Sequence, residues 1–134
     1  MEIIEDSLIK KVDCIRIPVP DLNLALKFYK DSLGHKILWR TDNSIGLGIP
    51  ESETEIVIHT ESDQFEIDLK VDSAIKAAER FKKAGGKVLV EPFDIPIGKC
   101  VIVKDPWGNK LILLDSTKGV YKTDSTGRVI GLKN

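Results

Sequence analysis

The sequence predicts an α+β fold in which two paired βαβββ modules form a cup-shaped mixed sheet. The first reason is an internal repeat. A strand, a capped amphipathic helix and a glycine stop occur at 12–34 and again at 65–86, and three short strand-like stretches follow each. The second is that each repeat has one helix, which covers one face of a curved sheet and leaves the other bare. Two such modules side by side make a shared cup of their bare faces, the natural place for a ligand. The third is size: 134 residues suit one domain, which buries roughly 65–70% of the surface its unfolded chain exposes. On this reading 1–11 is a lead segment, 12–116 a single domain (module one 12–60, module two 65–115), and 117–134 a C-terminal tail with a hairpin.

The elements follow in order. Residues 12–19 alternate, with Val12, Cys14, Arg16 and Pro18 on one face and Asp13, Ile15, Ile17 and Val19 on the other, the pattern of a strand. Pro20 ends it and Asp21 is a good N-cap. Leu22, Ala25, Leu26, Tyr29 and Leu33 recur at helical spacing, and Gly34 suits a left-handed stop. Strands are expected at 35–41, 44–49 and 55–60, broken by Asp42-Asn43 and Pro50-Glu51-Ser52. The second module repeats this: Phe65, Ile67, Leu69 and Val71 alternate with Glu66, Asp68 and Lys70. Asp72 or Ser73 caps a helix striped by Ala74, Ala77, Ala78 and Phe81, and Gly85-Gly86 stops it. Asp21 thus matches Asp72, and Gly34 matches Gly86 with a one-residue slip. Strands are expected at 87–90, 99–104 and 110–115. Residues 91–98, with two prolines and no periodicity, read as loop. Pro106 and Gly108 form a tight turn, with Asn109 accommodating unusual backbone angles and Trp107 lying over the domain's own edge. Residues 119–131 read as a small hairpin turning at 124–127.

Composition excludes several classes of function. A 42% apolar and 31% charged chain of net charge −1 has no basic stripe to neutralise phosphates, so no nucleic-acid partner is expected. No stretch approaches the ~20 apolar residues of a membrane span. The acidic start, Met1-Glu-Ile-Ile-Glu-Asp6, does not resemble a signal peptide, and Cys14 and Cys100 form no Cys-x-x-Cys pair. A reduced, cytoplasmic protein is expected. A homodimer is the default expectation on symmetry grounds.

Two signatures carry a family resemblance: Val19-Pro-Asp-Leu-Asn-Leu-Ala-Leu-Lys-Phe-Tyr-Lys-Asp-Ser-Leu-Gly34, and Asp105-Pro-Trp-Gly-Asn109 running into Lys110-Leu-Ile-Leu-Leu-Asp115. Over residues 12–115 the chain resembles the vicinal oxygen chelate superfamily, which groups glyoxalases, extradiol dioxygenases and the bleomycin- and fosfomycin-resistance proteins. In its metal-dependent members the first and last strands of each module carry one ligand each. Mapped by that resemblance, the first position, seven residues before Asp21, is Cys14. It reads as a thiolate ligand or, more commonly for a strand cysteine, as buried packing. The second is His59, a metal ligand, a general base or a hydrogen-bonded strand histidine. The third, six residues before Asp72, is Glu66, a ligand or base, or a member of a paired polar face with Asp68 and Lys70. The fourth, where glyoxalases carry the glutamate that binds metal and moves the proton, is Ile112. An isoleucine does neither, so the ligand set is incomplete.

No cofactor is therefore expected. The alternative is a divalent zinc, nickel, iron or manganese ion on Cys14, His59 and Glu66. The resemblance implies binding of a small polar or anionic molecule in the cup, with Arg16 and Cys14 at the substrate. Lyase or isomerase chemistry would run through His59 and Glu66. The competing reading is a non-catalytic binding protein of the bleomycin-resistance kind, so enzyme activity stays open. Arg16 also suits an internal ion pair to Glu66 or Asp68. Trp39 suits stacking on a planar ligand, and Lys99 and Cys100 suit a pocket rim. An extradiol dioxygenase would need two histidines and a carboxylate on iron, yet His35 follows the helix stop, away from the ligand positions.

Overall fold

The computed structural model describes residues 6–134; residues 1–5 of the lead segment lie outside the described residues. Module one comprises β1 (Lys11–Pro18), α1 (Leu22–Leu26), β2 (Ile37–Arg40), β3 (Ser44–Ile49) and β4 (Ser52–His59). Module two comprises β5 (Glu66–Lys70), α2 (Ala74–Lys83), β6 (Lys87–Ile95), β7 (Gly98–Lys104) and β8 (Lys110–Leu114). Their strands form one eight-stranded mixed sheet in the order β2-β3-β4-β1-β5-β8-β7-β6. β1 runs parallel to β4 and antiparallel to β5, so the modules join along β1–β5 within a single chain. A separate hairpin, β9 (Val120–Thr123) and β10 (Val129–Lys133), follows.

Both helices sit where their caps and apolar stripes require. The Asp21 side chain accepts from the Leu24 amide at 3.0 Å, and Gly34 ends the helical segment at φ 82°. Between these points α1 widens into a π-helical stretch at Lys27–Ser32, which spacing alone does not announce. Leu22, Ala25, Leu26 and Tyr29 pack on the buried Ile45, Leu47 and Ile58. In module two Ala74, Ala77 and Ala78 press α2 against Val71, Val101, Val103 and Leu113. Small alanines allow that close approach.

Asp115 ties the end of β8 to two other elements. Its buried carboxylate accepts from the amides of Ala74 at 2.8 Å, Lys99 at 2.9 Å and Thr117 at 3.3 Å, and from the Thr117 hydroxyl at 2.9 Å. Burial works against its charge, but these donors outweigh it and hold the carboxyl below its ordinary range.

Several expectations are corrected. Residues 91–95 are not loop: β6 runs to Ile95, with register shifts between Val88 and Val90 and between Val90 and Phe93. β6 is an edge strand, where a proline at a bulge costs no ladder bond. Of the two expected cap residues it is Ser73 that caps α2, accepting from the Lys76 amide, while Asp72 is an exposed partner of Lys10 at 3.6 Å. Gly108, not Asn109, takes the left-handed backbone at φ 94°, and Asn109 instead bonds the Asp105 carboxylate. Trp107 is 84% exposed and covers nothing. In β1 the register shifts between Val12 and Cys14, an extra residue that turns Asp13 to the same side as Cys14.

Candidate functional site

The concave face encloses a cavity of about 910 Å³. Its floor can be laid out from strand register alone. One row across the sheet reads Glu55 on β4, Cys14 on β1, Asp68 on β5, Ile112 on β8 and Ile102 on β7. The adjacent row reads Gly46 on β3, Val57 on β4, Arg16 on β1 and Glu66 on β5. Side chains two apart on a strand share a face, so these rows stack into a continuous surface.

That surface is divided. Toward module two it is apolar: Cys100, Ile112 and Leu114 form a buried cluster with Ile95, Ile97 and Ile102 packed on it. Toward module one and along β5 it is charged. Arg16 bonds Glu61 at 2.8 Å and lies 3.9 Å from Glu66. The expected partner Glu66 is thus joined by Glu61, which the sequence did not single out. Glu55 accepts from the Trp39 indole at 2.7 Å. Trp39 lies over Gly46, where any side chain would collide with its ring, and its ring meets Tyr121 of β9 with centroids 5.0 Å apart, tilted at 57°. The hairpin that carries Tyr121 docks on module one through the Arg40 amide to the Gly127 carbonyl at 2.8 Å and an Arg128–Asp42 ion pair.

Asp68 is the most unusual group here. It is 6% exposed; its Oδ2 accepts from the Cys14 thiol at 3.5 Å, and its Oδ1 has no hydrogen-bond partner. Burial pushes its carboxyl up to about 6, Arg16 pulling the other way and Glu66 adding to the rise. Burial likewise raises Asp13 and Glu55 above the usual carboxylate range. Burial, reinforced by Asp68 and Asp13, drives the Cys14 thiol far above its ordinary value. Cys100 is pushed up to about 12, also chiefly by burial. Both cysteines are therefore neutral thiols at physiological pH.

Cys14, Arg16, His59 and Glu66 all line the cup, but they do not converge on one point. His59 lies opposite Pro18, while Cys14 lies opposite Glu55 four residues earlier on β4. His59 is 1% exposed, places Nε2 at 3.2 Å from the Gln64 carbonyl and leaves Nδ1 unpartnered. Among the described residues, no group of three or more His, Cys, Asp or Glu side chains is gathered closely enough to hold a metal ion. As arranged, Cys14, His59 and Glu66 do not fit the divalent ion that the resemblance implied, and Asp68 stands opposite Ile112, not a second carboxylate. His35 bonds the Gly48 carbonyl at 2.9 Å and is not part of the cup lining.

Residues 11–113 match the Glyoxalase/Bleomycin resistance protein/Dioxygenase superfamily. The chain belongs to that superfamily. Among superfamily relatives, the lactoylglutathione lyase of Neisseria meningitidis serogroup B is 30% identical over 120 residues, which cover 75% of this chain and 87% of that protein. A probable chloroplastic lactoylglutathione lyase of Arabidopsis thaliana is 32% identical over 116 residues, covering 72% of this chain but 33% of the plant protein. This chain therefore spans about a third of that relative's length. Its fold superimposes on methylmalonyl-CoA epimerase from Mycobacterium tuberculosis with a TM-score of 0.69 at 17% identity, covering 86% of this chain and 93% of that one. It also superimposes on homoprotocatechuate 2,3-dioxygenase from Brevibacterium fuscum at 0.60 and 23% identity, covering 84% and 38% respectively. The β9–β10 hairpin lies outside the residues that match the superfamily.

Sequence reasoning underweighted four cup residues. Asp68 was legible by alternation with Glu66, as was Glu55 with Val57 and His59. Asp13 was hidden by the bulge in β1, and Tyr121 by its distance along the chain.

Proposed function

We propose that this superfamily member binds a small amphipathic molecule in its cup and that Asp68 transfers a proton on it, a reaction of the lyase or isomerase class. The observation that carries this is Asp68 itself: a buried carboxyl on the cup floor, anchored through one oxygen by Cys14 and free at the other. A general acid or base needs that combination of fixed position and open valence. The Ile112, Leu114 and Cys100 cluster receives the apolar part of the molecule beside it. Arg16, already neutralised by Glu61 and Glu66, holds those carboxylates in place and tempers the negative field at Asp68. His59, with Nδ1 unpartnered, is the second group to vary. A cytoplasmic location is supported by two free, buried cysteines, which suit a reducing compartment. Among the described residues no helix is long and apolar enough to cross a membrane.

The test follows the relatives' name. S-lactoylglutathione is incubated with the protein in D₂O and deuterium entry at the lactoyl carbon is followed by NMR. Wild type is expected to catalyse exchange, and Asp68→Asn to slow it by about 10²-fold or more while still binding the compound. Equal rates in the two proteins would contradict the assignment. Binding without exchange in wild type would favour a non-catalytic binding protein, the reading supported by Ile112 at the position of the glyoxalase glutamate.

A further inference from the structure

The cup carries more negative charge than it neutralises. Six carboxylates line it against four basic side chains. Two of those bases are already engaged, Lys11 with Glu53 at 3.2 Å and Arg16 with Glu61 and Glu66. Asp13, Glu55 and Asp68 have no ion-pair partner within 4 Å among the described residues, and they are not scattered. Asp13 is the chain neighbour of Cys14, turned inward by the bulge, and Glu55 and Asp68 are the residues opposite Cys14 on its two flanking strands. All three thus surround one thiol that is protonated and offers no charge in return. Lys11 and Lys70 act on Asp13, Lys11 on Glu55 and Arg16 on Asp68 only from beyond ion-pair distance. Carboxylates drawn out of water without a directly paired charge are costly, which leaves room for a ligand to supply that charge.

We propose that the ligand's polar end is an organic cation, an ammonium, amidinium or guanidinium group, received between the carboxylates around Cys14 and the Trp39–Tyr121 corner. Two further observations support this beyond the charge count. The Oδ1 of Asp68, in a residue 94% buried by its 6% exposure, lines the cavity with no partner of its own. The wall beside Glu55 is aromatic, with Trp39 held over Gly46, its Nε1 bonded to Glu55, and the Tyr121 ring tilted against it. An aromatic face beside a carboxylate attracts a cation through the ring quadrupole as well as through charge. A compact metal ion does not suit the spacing. Glu55 and Asp68 stand two strands apart, about 10 Å between their backbones, and no metal-holding group forms among the described residues. An organic cation needs no fixed set of ligands, so it can lie among these carboxylates and against the aromatic wall, with its apolar body on the Cys100, Ile112 and Leu114 side. The hairpin is then a recognition element, since Tyr121 reaches the cup from outside the part of the chain that matches the superfamily.

This inference rests on the cup being a ligand site, and not on Asp68 moving a proton. The test uses the full ¹⁵N-labelled chain at pH 7.5 and three probes of one shape: benzylammonium, neutral benzyl alcohol and anionic benzoate, titrated by NMR and calorimetry. Benzylammonium is expected to bind at least tenfold more tightly than benzyl alcohol, benzoate more weakly still, with shifts centred on Cys14, Glu55, Asp68 and Tyr121. The double variant Glu55→Gln/Asp68→Asn is expected to erase the cation's advantage and leave alcohol binding unchanged. Should that variant fail to fold, Tyr121→Ala is expected to weaken benzylammonium binding about fivefold, without altering the alcohol. Equal or tighter binding of the alcohol or benzoate overturns the inference and leaves the cup as a ligand site. Shifts confined to other surfaces overturn it as well. No binding of any probe overturns both this inference and the cup reading.

Discussion

Asp68 spends stability where an asparagine would not. Its carboxyl holds a proton up to about 6 in the folded protein, against 3.8 for an ordinary aspartate, because burial disfavours the charged form. Between those pH values the native chain binds more protons than the unfolded one, so stability falls as pH rises through the window. Above it the cost is constant, on the order of 2–3 kcal/mol. Asp68→Asn is therefore expected to be more stable than wild type at pH 7.5 by about that amount, and the gain to vanish below about pH 4, as read by urea unfolding at both pH values. Loss of stability in the variant at pH 7.5 would mean Asp68 is a structural anchor. Asp115 is the contrasting case. Its carboxylate satisfies three amides and a hydroxyl, so Asp115→Ala is expected to cost about 2–4 kcal/mol. The two aspartates look alike in sequence, each beside a branched apolar strand, and only the count of donors around each carboxyl separates them. Alternation was enough to place Asp68 and Glu66 on one face; it could not place Asp13, whose side was reversed by a single inserted residue.

The helices and most strands were readable because caps and periodicity act locally: Asp21 before an apolar stripe, and Gly34 after it, need no tertiary partner to be recognised. The extension of β6 through Pro92 was not, since it depends on that strand occupying an edge, a property of the whole sheet. The hairpin was visible from its turn, where Asp124 accepts from the amides of Thr126 and Arg128. Its role was not, because Trp39 and Tyr121 meet across most of the chain. Gly46 links these elements. A side chain there would strike the Trp39 ring, so Gly46→Val is expected to displace Trp39, loosen Tyr121 and cost roughly 1–3 kcal/mol. Near-UV circular dichroism reports the aromatic pair directly, and an unchanged spectrum would show that Trp39 does not depend on the bare backbone beneath it.

The two-module arrangement explains why a ligand site exists at all. Each helix covers the convex side of its own module, and the β1–β5 ladder places the two uncovered faces side by side in one chain. The repeat made that architecture legible, and residues 11–113 and the superfamily's fold agree with it. The chemistry was less legible, because the residues mapped by resemblance, Cys14, His59, Glu66 and Ile112, do not gather: the strand register sets Glu55 and Asp68 level with Cys14 and Ile112. What replaces them is an asymmetric cup, apolar toward module two and acidic toward module one, whose sign emerges only when Asp13, Glu55 and Asp68 are brought around Cys14. The groups that bear on Asp68 are Asp13, Cys14 and Arg16 from β1, Glu66 from its own strand, and Cys100 from β7. The carboxyl carbon of Asp68 reports on all of them and on any ligand above it. Its ¹³C chemical shift, followed from pH 3 to pH 9 with and without benzylammonium, is expected to titrate near 6 in the free protein and distinctly lower with the cation bound. A midpoint near 3.8 that no ligand moves would make Asp68 an ordinary solvated carboxylate, and neither proton transfer nor cation recognition at the cup floor would survive that result.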